Sequence, residues 1–258
     1  MPLPLQLIST DFDGTLHADY ESPSVPLDLQ VLLGDLQRRG AKWVINTGRD
    51  LSSVMEGIAR ARLNVKPDYL VTVERDIYVH VDSHYEPCAA WNDGCQRAHA
   101  DLFARVRPDV PRLVNWISQR FEATLYEDAF SPFCLIAESV RDADDIQKFL
   151  EDYCAAVPGL VVVRNDVYAR FSHEAYNKGT ALAEIARQLG VGRESVFAAG
   201  DHFNDLPMLD GQFAAWVAAP DNAMPEVKEI VRRQQGYVSH QPWGHGVARA
   251  LEFFMEGR

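Results

Sequence analysis

Basic residues are scarce in this chain relative to acidic ones. Its 258 residues include 25 lysines and arginines against 37 aspartates and glutamates, which gives a formal net charge of −12 at pH 7. Proteins that bind nucleic acids need basic surface to neutralise phosphates, and the sequence has no run of Lys and Arg that would supply it. We therefore expect no nucleic-acid partner. The acidic excess still permits an anionic substrate, because a bound metal ion and one lysine can set the local field.

Long hydrophobic runs are also missing. The longest clear apolar run, residues 213–219, is much too short to span a bilayer, so we expect no membrane partner. A predicted strand begins close to Met1, which leaves no room for a signal peptide. Only four cysteines are present, and they show no secreted disulfide framework. We expect a soluble cytoplasmic protein with reduced thiols, either a monomer or a small homo-oligomer.

Two closely spaced carboxylates are the most informative feature that is present. Residues 11–16 read Asp-Phe-Asp-Gly-Thr-Leu, directly after the apolar run 5–10. This pattern predicts a buried strand whose carboxyl end, in a doubly wound sheet, lies where ligands bind. Asp11 and Asp13 would share one face and repel each other, so they need a cation, a proton or a reaction. The alternative is an ordinary acidic turn built on Asp-Gly chemistry.

Three further segments place polar residues at strand ends or helix starts. Residues 44–49 end an apolar strand, and Thr47 there would offer a hydroxyl and a backbone N–H at a helix N-terminus, which favours anions. Lys178 opens a helix that Gly190 ends, and a lysine at a helix start is disfavoured by the macrodipole unless an anion lies nearby. Residues 200–205 add two carboxylates and an amide after another strand.

In order, these four segments resemble the four motifs of the haloacid dehalogenase superfamily. The resemblance extends from residue 5 to about residue 254 and is carried by the combination of motifs. The long interval between the second and third segments is similar to the large inserted cap of the C2 type. This places the chain near the Cof-like and sucrose-phosphatase-like phosphatases of subfamily IIB.

The resemblance implies a role for each motif residue. Asp11 would be the nucleophile that forms a phosphoaspartate, and Asp13 the general acid and base. A Mg²⁺ cofactor, which takes hard oxygen ligands, would be held by Asp11, Asp201 and the backbone carbonyl of Asp13, with Asp205 acting through water. The phosphate-binding residues would be Thr47, Gly48, Lys178 and Asn204.

The fold expected from this pattern is α/β, with a doubly wound parallel-sheet, Rossmann-like core and an inserted α+β cap domain. The core would comprise residues 1–81 and 175–258, and the cap residues 82–174. Core strands would resume at Ser195 and Phe213. Within the cap, Asn165 and Asp166 would join two strands as a hairpin turn.

The predicted function is a Mg²⁺-dependent phosphatase that hydrolyses a small phosphorylated metabolite. A phosphosugar substrate follows from the resemblance alone, and Asp13 favours phosphoryl transfer over halide displacement. The alternatives are a phosphomutase on a hexose phosphate and a non-catalytic binding protein on the same fold. Arg49 has two interpretations: it binds anions, or it pairs with an acid in the core. The family has a glycine close to where Glu74, Arg75 and Asp76 stand, and this departure concerns the start of the cap hinge and its motion rather than the chemistry.

Overall fold

The computed structural model describes residues 5–256 of the chain. Within that range the chain forms twelve strands: β1 (Leu7–Thr10), β2 (Lys42–Asn46), β3 (Tyr69–Thr72), β4 (Asp76–Val81), β5 (His84–Pro87), β6 (Ala123–Tyr126), β7 (Cys134–Ala137), β8 (Leu160–Asn165), β9 (Tyr168–His173), β10 (Val196–Ala199), β11 (Trp216–Ala219) and β12 (Tyr237–Val238). The described range also contains eight α-helices: α1 (Leu27–Arg38), α2 (Leu51–Arg60), α3 (Ala89–Val106), α4 (Val110–Ser118), α5 (Val140–Ala155), α6 (Lys178–Leu189), α7 (Pro225–Arg233) and α8 (Trp243–Glu256).

The chain divides into two compact units. The first comprises the chain up to Ala89 and from Asn177 onward, and the second is Ala90–Tyr176. The predicted insert began at residue 82, before β5. The structure has β5 paired with β4 in the larger sheet, because His84 and Tyr85 continue the hairpin opposite Val81 and His80. Residues 1–4 and 257–258, the ends of the predicted core ranges, lie outside the described residues.

The first unit is built on an eight-stranded sheet with the order β12-β11-β10-β1-β2-β3-β4-β5. All pairs from β12 to β3 are parallel, and β4 and β5 add an antiparallel edge. Strand β1 is central, with Leu7 opposite Val196 of β10 on one side and Lys42 of β2 on the other. Sheet and helices confirm the predicted α/β class, and the carboxyl ends of β1, β2 and β10 meet at one edge, where ligands bind in such sheets.

Helix α6 shows how the sequence determines an element that carries site residues. The Asn177 side chain accepts hydrogen bonds from the N–H groups of Gly179 and Thr180, which caps the first turn. Gly190 ends the helix with a φ of +67°. The helix predicted from Lys178 to Gly190 is therefore confirmed, and its capped start fixes the Lys178 backbone.

The predicted resumption of the core at Phe213 was wrong by three residues. Strand β11 begins at Trp216, because the N–H groups of Phe213 and Ala214 donate to the Asp210 carbonyl in a turn. The apolar composition of residues 213–219 gave no sign of that turn.

The second unit has an antiparallel four-stranded sheet with the order β6-β7-β9-β8. The predicted hairpin between β8 and β9 is confirmed, with Asn165 opposite Tyr168 and Asp166 at a φ of +52°. Buried apolar residues of this sheet and of α3, α4 and α5 form one cluster that includes Ile146 and Phe171. This core is separate from the cluster around β1 in the first unit.

No helix in residues 5–256 is both long enough and apolar enough to cross a membrane.

Candidate active site

A buried cation lies between two carboxylates at the edge where β1, β10 and α6 meet. Lys178 Nζ donates to Asp11 Oδ1 at 2.6 Å and to Asp205 Oδ1 at 2.5 Å. Lys178 and Asp205 are fully buried, and Asp11 is 6% exposed. The anion that the Lys178 position calls for is therefore provided by the protein itself. Since each carboxylate would be costly to bury alone, the lysine makes the group possible.

Asp201 completes a cluster of three carboxylates. One ligand oxygen each from Asp11, Asp201 and Asp205 can be chosen so that all lie within 4.8 Å of one another. Thr15 Oγ1 donates to Asp201 Oδ1 at 2.6 Å. A glycine is required at position 14, because its φ is +78° and a Cβ there would lie 2.5 Å from Asp201 Oδ2.

The electrostatics of the cluster follow from its burial. Burial raises the pKa of Asp11 well above its usual value, Asp205 and Asp201 raise it further, and Lys178 opposes them. Burial, with Asp205, also raises the pKa of Asp201 to about 7. Burial alone would lower the pKa of Lys178, but Asp11, Asp205 and Glu74 raise it above its ordinary value. The lysine therefore stays charged, but its single positive charge cannot neutralise the three carboxylates around it.

The arrangement of oxygens fits a divalent cation. Asp205 is fully engaged, because Oδ1 accepts from Lys178 and Oδ2 accepts from the N–H groups of Asp201 and His202. Among residues 5–256, in contrast, no group donates to Oδ2 of Asp11 or to Oδ2 of Asp201. These hard oxygen donors suit Mg²⁺, and their mutual repulsion would be relieved by it.

Asp13 points to a different partner. Arg49 Nε donates to Asp13 Oδ2 and Arg49 Nη2 to Asp13 Oδ1, both at 2.6 Å, in a two-pronged ion pair. The Arg49 guanidinium also lies 5.4 Å from the centroid of the Phe12 ring. Of the two alternatives for Arg49, the structure shows pairing with an acid. The acid is one of the predicted catalytic pair, and Asp13 is 40% exposed rather than buried in the core.

The Thr47 segment differs in detail from the expectation. Thr47 N–H donates to the Val71 carbonyl at 2.8 Å, and α2 begins only at Leu51 after its cap Asp50. Thr47 therefore offers its side chain rather than a free N–H at a helix start. The N–H of Gly48, in contrast, donates to no residue within the described range. The difference arises because β2 continues its pairing with β3 one residue further than the hydrophobic pattern of the sequence indicates.

The last predicted site residue, Asn204, is buried beside Gly48. A Cβ on Gly48 would lie 3.9 Å from Asn204 Nδ2. Asn204 Nδ2 donates to Glu74 Oε1 at 3.0 Å. Sequence reasoning assigned no role to Glu74 or to Thr15. The only signals were that Thr15 lies four residues after Asp11 and that residues 74–76 stand close to where the resembling family has a glycine.

Comparisons with known proteins show the family to which the chain belongs. The family model described as Sucrose-6F-phosphate phosphohydrolase matches residues 4–255. The mannosylfructose-phosphate phosphatase of Agrobacterium fabrum is 25% identical over 263 residues, 98% of this chain and 96% of the relative. A phosphoglycolate phosphatase of Methanopyrus kandleri is 25% identical over 259 residues, 97% of each chain.

A solved structure extends the likeness to the fold. The sucrose-phosphatase from Synechocystis sp. PCC6803, in complex with sucrose and phosphate, matches with a TM-score of 0.73 at 19% identity. The match covers 97% of this chain and 98% of that one. The resemblance predicted from the four motifs is confirmed by the family match and the shared fold.

Proposed function

Because the chain belongs to the sucrose-6F-phosphate phosphohydrolase family and is a phosphoric monoester hydrolase, we propose that it hydrolyses a small phosphosugar through a phosphoaspartate on Asp11. The observation that carries this proposal is the buried Asp11–Lys178–Asp205 group with Asp201 beside it. A carboxylate with one oxygen held by a lysine and the other free is arranged to attack an electrophile. A phosphate ester is the electrophile that the family handles.

In the proposed first step, Asp11 Oδ2 attacks phosphorus while Lys178 holds Oδ1. A bond forms between Oδ2 and phosphorus, and the bond from phosphorus to the sugar oxygen breaks. The departing oxygen keeps the electron pair and takes a proton from Asp13. For Asp13 to reach that oxygen, its pair with Arg49 must open, because Arg49 occupies both carboxylate oxygens.

In the second step a water molecule attacks phosphorus and Asp13 accepts its proton. The bond from Asp11 to phosphorus breaks, inorganic phosphate is released, and the carboxylate of Asp11 is restored. Thr47, Gly48 and Lys178 bind the phosphoryl oxygens through a hydroxyl, a backbone N–H and an ammonium group. Such donors would stabilise the negative charge that the phosphoryl oxygens carry during the transfer.

Mg²⁺ is the proposed cofactor. Asp11, Asp201 and the backbone carbonyl of Asp13 would hold it, with Asp205 acting through water. When bound, it would offset the repulsion between the phosphate ester and the carboxylates. The free Oδ2 atom of Asp201 and the engaged oxygens of Asp205 support this division.

The phosphosugar substrate is supported by the relatives. The matching family and one relative are both named for phosphorylated disaccharides, sucrose-6F-phosphate and mannosylfructose-phosphate. Another relative of equal identity is named for phosphoglycolate, a small carboxylate. The expected cap role of the insert, the cytoplasmic location and the oligomeric state stay predictions.

The test is phosphate release from a panel of sugar phosphates, phosphoglycolate and an aryl phosphate, with Mg²⁺ and with chelator. We expect metal-dependent release that is highest on a sugar phosphate and that falls about 10⁴-fold or more in Asp11→Asn. The matched control is Asp145→Asn, an exposed aspartate of the second unit, which should retain full activity.

Two outcomes would contradict the proposal. Release that persists in Asp11→Asn would exclude the phosphoaspartate. Isomerisation of a hexose phosphate, dependent on a bisphosphate activator and with little net release, would favour the phosphomutase instead.

A further inference from the structure

The turn between β3 and β4 has a backbone that its residues disfavour. Arg75 N–H donates to the Thr72 carbonyl at 2.9 Å, so Val73 and Glu74 are the two central residues of a tight hairpin turn. Their φ angles are +44° and +68°. Turns of this kind favour Asn-Gly, and a β-branched residue at positive φ is an outlier. Backbone strain of this kind concentrates at functional sites.

Hydrogen bonds to the site loop hold the strained turn. Val73 N–H donates to the Arg49 carbonyl at 2.8 Å, and Glu74 N–H donates to the Thr47 carbonyl at 2.9 Å. The turn is thus fixed against the segment that contains the proposed phosphate-binding residues Thr47 and Gly48. The conformation of the turn is therefore set by its hydrogen bonds to that segment and not by the backbone preferences of Val73 and Glu74.

The carboxylate of Glu74 is buried against the same loop. Glu74 is 6% exposed, and a Cβ on Gly48 would lie 3.3 Å from Glu74 Oε1. Glu74 also contributes to the field on Lys178. Burial of a charged carboxylate lowers the stability of the fold unless hydrogen bonds or an ion pair compensate for it.

One specific contact of the Glu74 carboxylate is with the amide of Asn204. An ionised carboxylate only accepts hydrogen bonds, so the NH₂ group of Asn204 must face Glu74, and Asn204 Nδ2 does so at 3.0 Å. Asn204 Oδ1 therefore faces elsewhere. It is buried and has no hydrogen-bond donor within residues 5–256. Buried polar atoms are rarely left in this state, so a donor from outside the chain is expected.

We propose that Glu74 is a positioning residue that orients Asn204 so that its amide oxygen accepts a hydrogen bond from a hydroxyl of the substrate's leaving group. A carbonyl oxygen cannot accept from a phosphate dianion, which has no hydrogen to donate. Among the groups of a bound phosphate ester, only a hydroxyl of the alcohol part can therefore donate to Asn204 Oδ1. This inference rests on the proposed phosphatase function and defines its substrates as phosphate esters of polyhydroxylated alcohols.

The strained backbone at Glu74 provides a test, because a substitution that relieves the strain should raise stability while it lowers activity on a sugar phosphate. Glu74→Gly suits a φ of +68°, so relief of the backbone strain should raise the thermal midpoint by about 2 °C or more. Its kcat/KM on the best sugar phosphate should fall about 10-fold or more, while that on an aryl phosphate without hydroxyls stays within about twofold. A purely structural residue would not move stability and activity in opposite directions.

The matched control is Asp82→Gly. Asp82 is an exposed residue of the next hairpin and has a φ of +51°. Its replacement should raise the midpoint and leave both activities unchanged. A double-mutant cycle with Asn204→Ala adds the coupling: in that background Glu74→Gly should have no further effect on the sugar phosphate.

The outcomes distinguish this inference from the proposed function. A wild-type protein that releases phosphate from neither substrate would refute the phosphatase proposal itself. An active wild type whose Glu74→Gly variant loses both activities equally, or loses neither, would overturn the role of Glu74. Full additivity with Asn204→Ala would overturn the step through Asn204, and a wild type that accepts only the aryl phosphate would overturn the substrate class.

Discussion

Each of the two units contains a lysine that pairs with aspartate, but one lysine is buried and the other is exposed. Lys178 in the first unit is fully buried between Asp11 and Asp205. Lys148 in the second unit is 74% exposed and lies 3.2 Å from Asp145. The first pair is strengthened by burial and is costly to break, whereas the second is weakened by water and salt. The same lysine–aspartate pair is therefore part of the candidate active site in one unit and an exposed surface contact in the other.

The two units also differ in the charged side chains that they bury. Next to its apolar core, the first unit buries charge at the strand ends, including Asp11, Lys178, Glu74 and Asp205. The second unit also buries charge, at Arg164 and Arg170, but within residues 90–176 no carboxylate is buried beside the apolar cluster that contains Ile146 and Phe171. The difference is therefore that the first unit holds mutually repelling carboxylates in its interior, at a cost in stability, and the second does not.

Removing the buried cation should give the largest effect. Lys178→Met leaves two buried carboxylates without their partner, and we expect the free energy of unfolding to fall by about 3–5 kcal/mol at pH 7. Chemical denaturation in the absence of Mg²⁺ measures it. Lys148→Met is the matched control and should change the value by less than about 1 kcal/mol. Equal effects of the two substitutions would refute the contrast between the pairs.

Packing should be the sensitive property of the second unit. Ile146→Ala creates a cavity in its core, and we expect a loss of about 2–5 kcal/mol in the free energy of unfolding of that unit. Ile136→Ala removes a side chain that is 42% exposed and should cost far less. Denaturation followed by hydrogen exchange assigns the loss to residues. The idea fails if the exposed position is as sensitive as the buried one.

A smaller effect is expected where the structure supports a proposed metal ligand. Thr15→Val keeps the shape of the side chain but removes the hydrogen bond to Asp201 Oδ1. Metal affinity, measured by calorimetric titration of Mg²⁺, should fall by about 10–100-fold. Thr124→Val, on an exposed strand position of the second unit, should bind the metal as the wild type does. Unchanged affinity in Thr15→Val would argue against Asp201 as a ligand.

A further expected effect is a pH dependence of the metal-free protein. Burial raises the pKa of Asp201 from 3.8 to about 7, so between these values the folded state holds a proton that the unfolded chain has lost. The stability from Asp201 is therefore fully present below about pH 4 and is lost as pH rises through about 7.

The comparison with Asp201→Asn isolates that group. The difference in free energy of unfolding, wild type minus variant, should decrease from pH 5 to pH 8 without metal. Saturating Mg²⁺ should restore wild-type stability at pH 8, since the ion binds the ionised carboxylate. A difference that stays flat across this range would contradict the raised pKa.

Much of the site could be predicted because its residues lie within short motifs at strand ends. The structure brings together Asp11, Lys178, Asp201 and Asp205, which the sequence placed only as separate segments. The parallel order of β1, β2 and β10 explains this convergence, since strand ends in one sheet share an edge. The start of α6 was predictable for a local reason, the cap formed by Asn177.

Partners chosen across long separations could not be predicted. The bond from Thr15 to Asp201 spans 186 residues, and that from Asn204 to Glu74 spans 130. Neither is encoded in a local pattern, because the position of each loop depends on how the strands align. The pairing of Thr47 N–H with Val71 likewise depends on the register of β2 and β3.

By itself, then, the sequence determined the class of fold, the four reactive segments and the chemistry they favour. Those properties follow from local hydrophobic pattern and from the types of residue at strand ends. Only the tertiary structure decided that Lys178 is held by Asp11 and Asp205, that Arg49 pairs with Asp13 and that the amide of Asn204 donates to Glu74. These contacts join distant parts of the chain, and only the packed sheet and its loops bring the atoms within hydrogen-bonding distance.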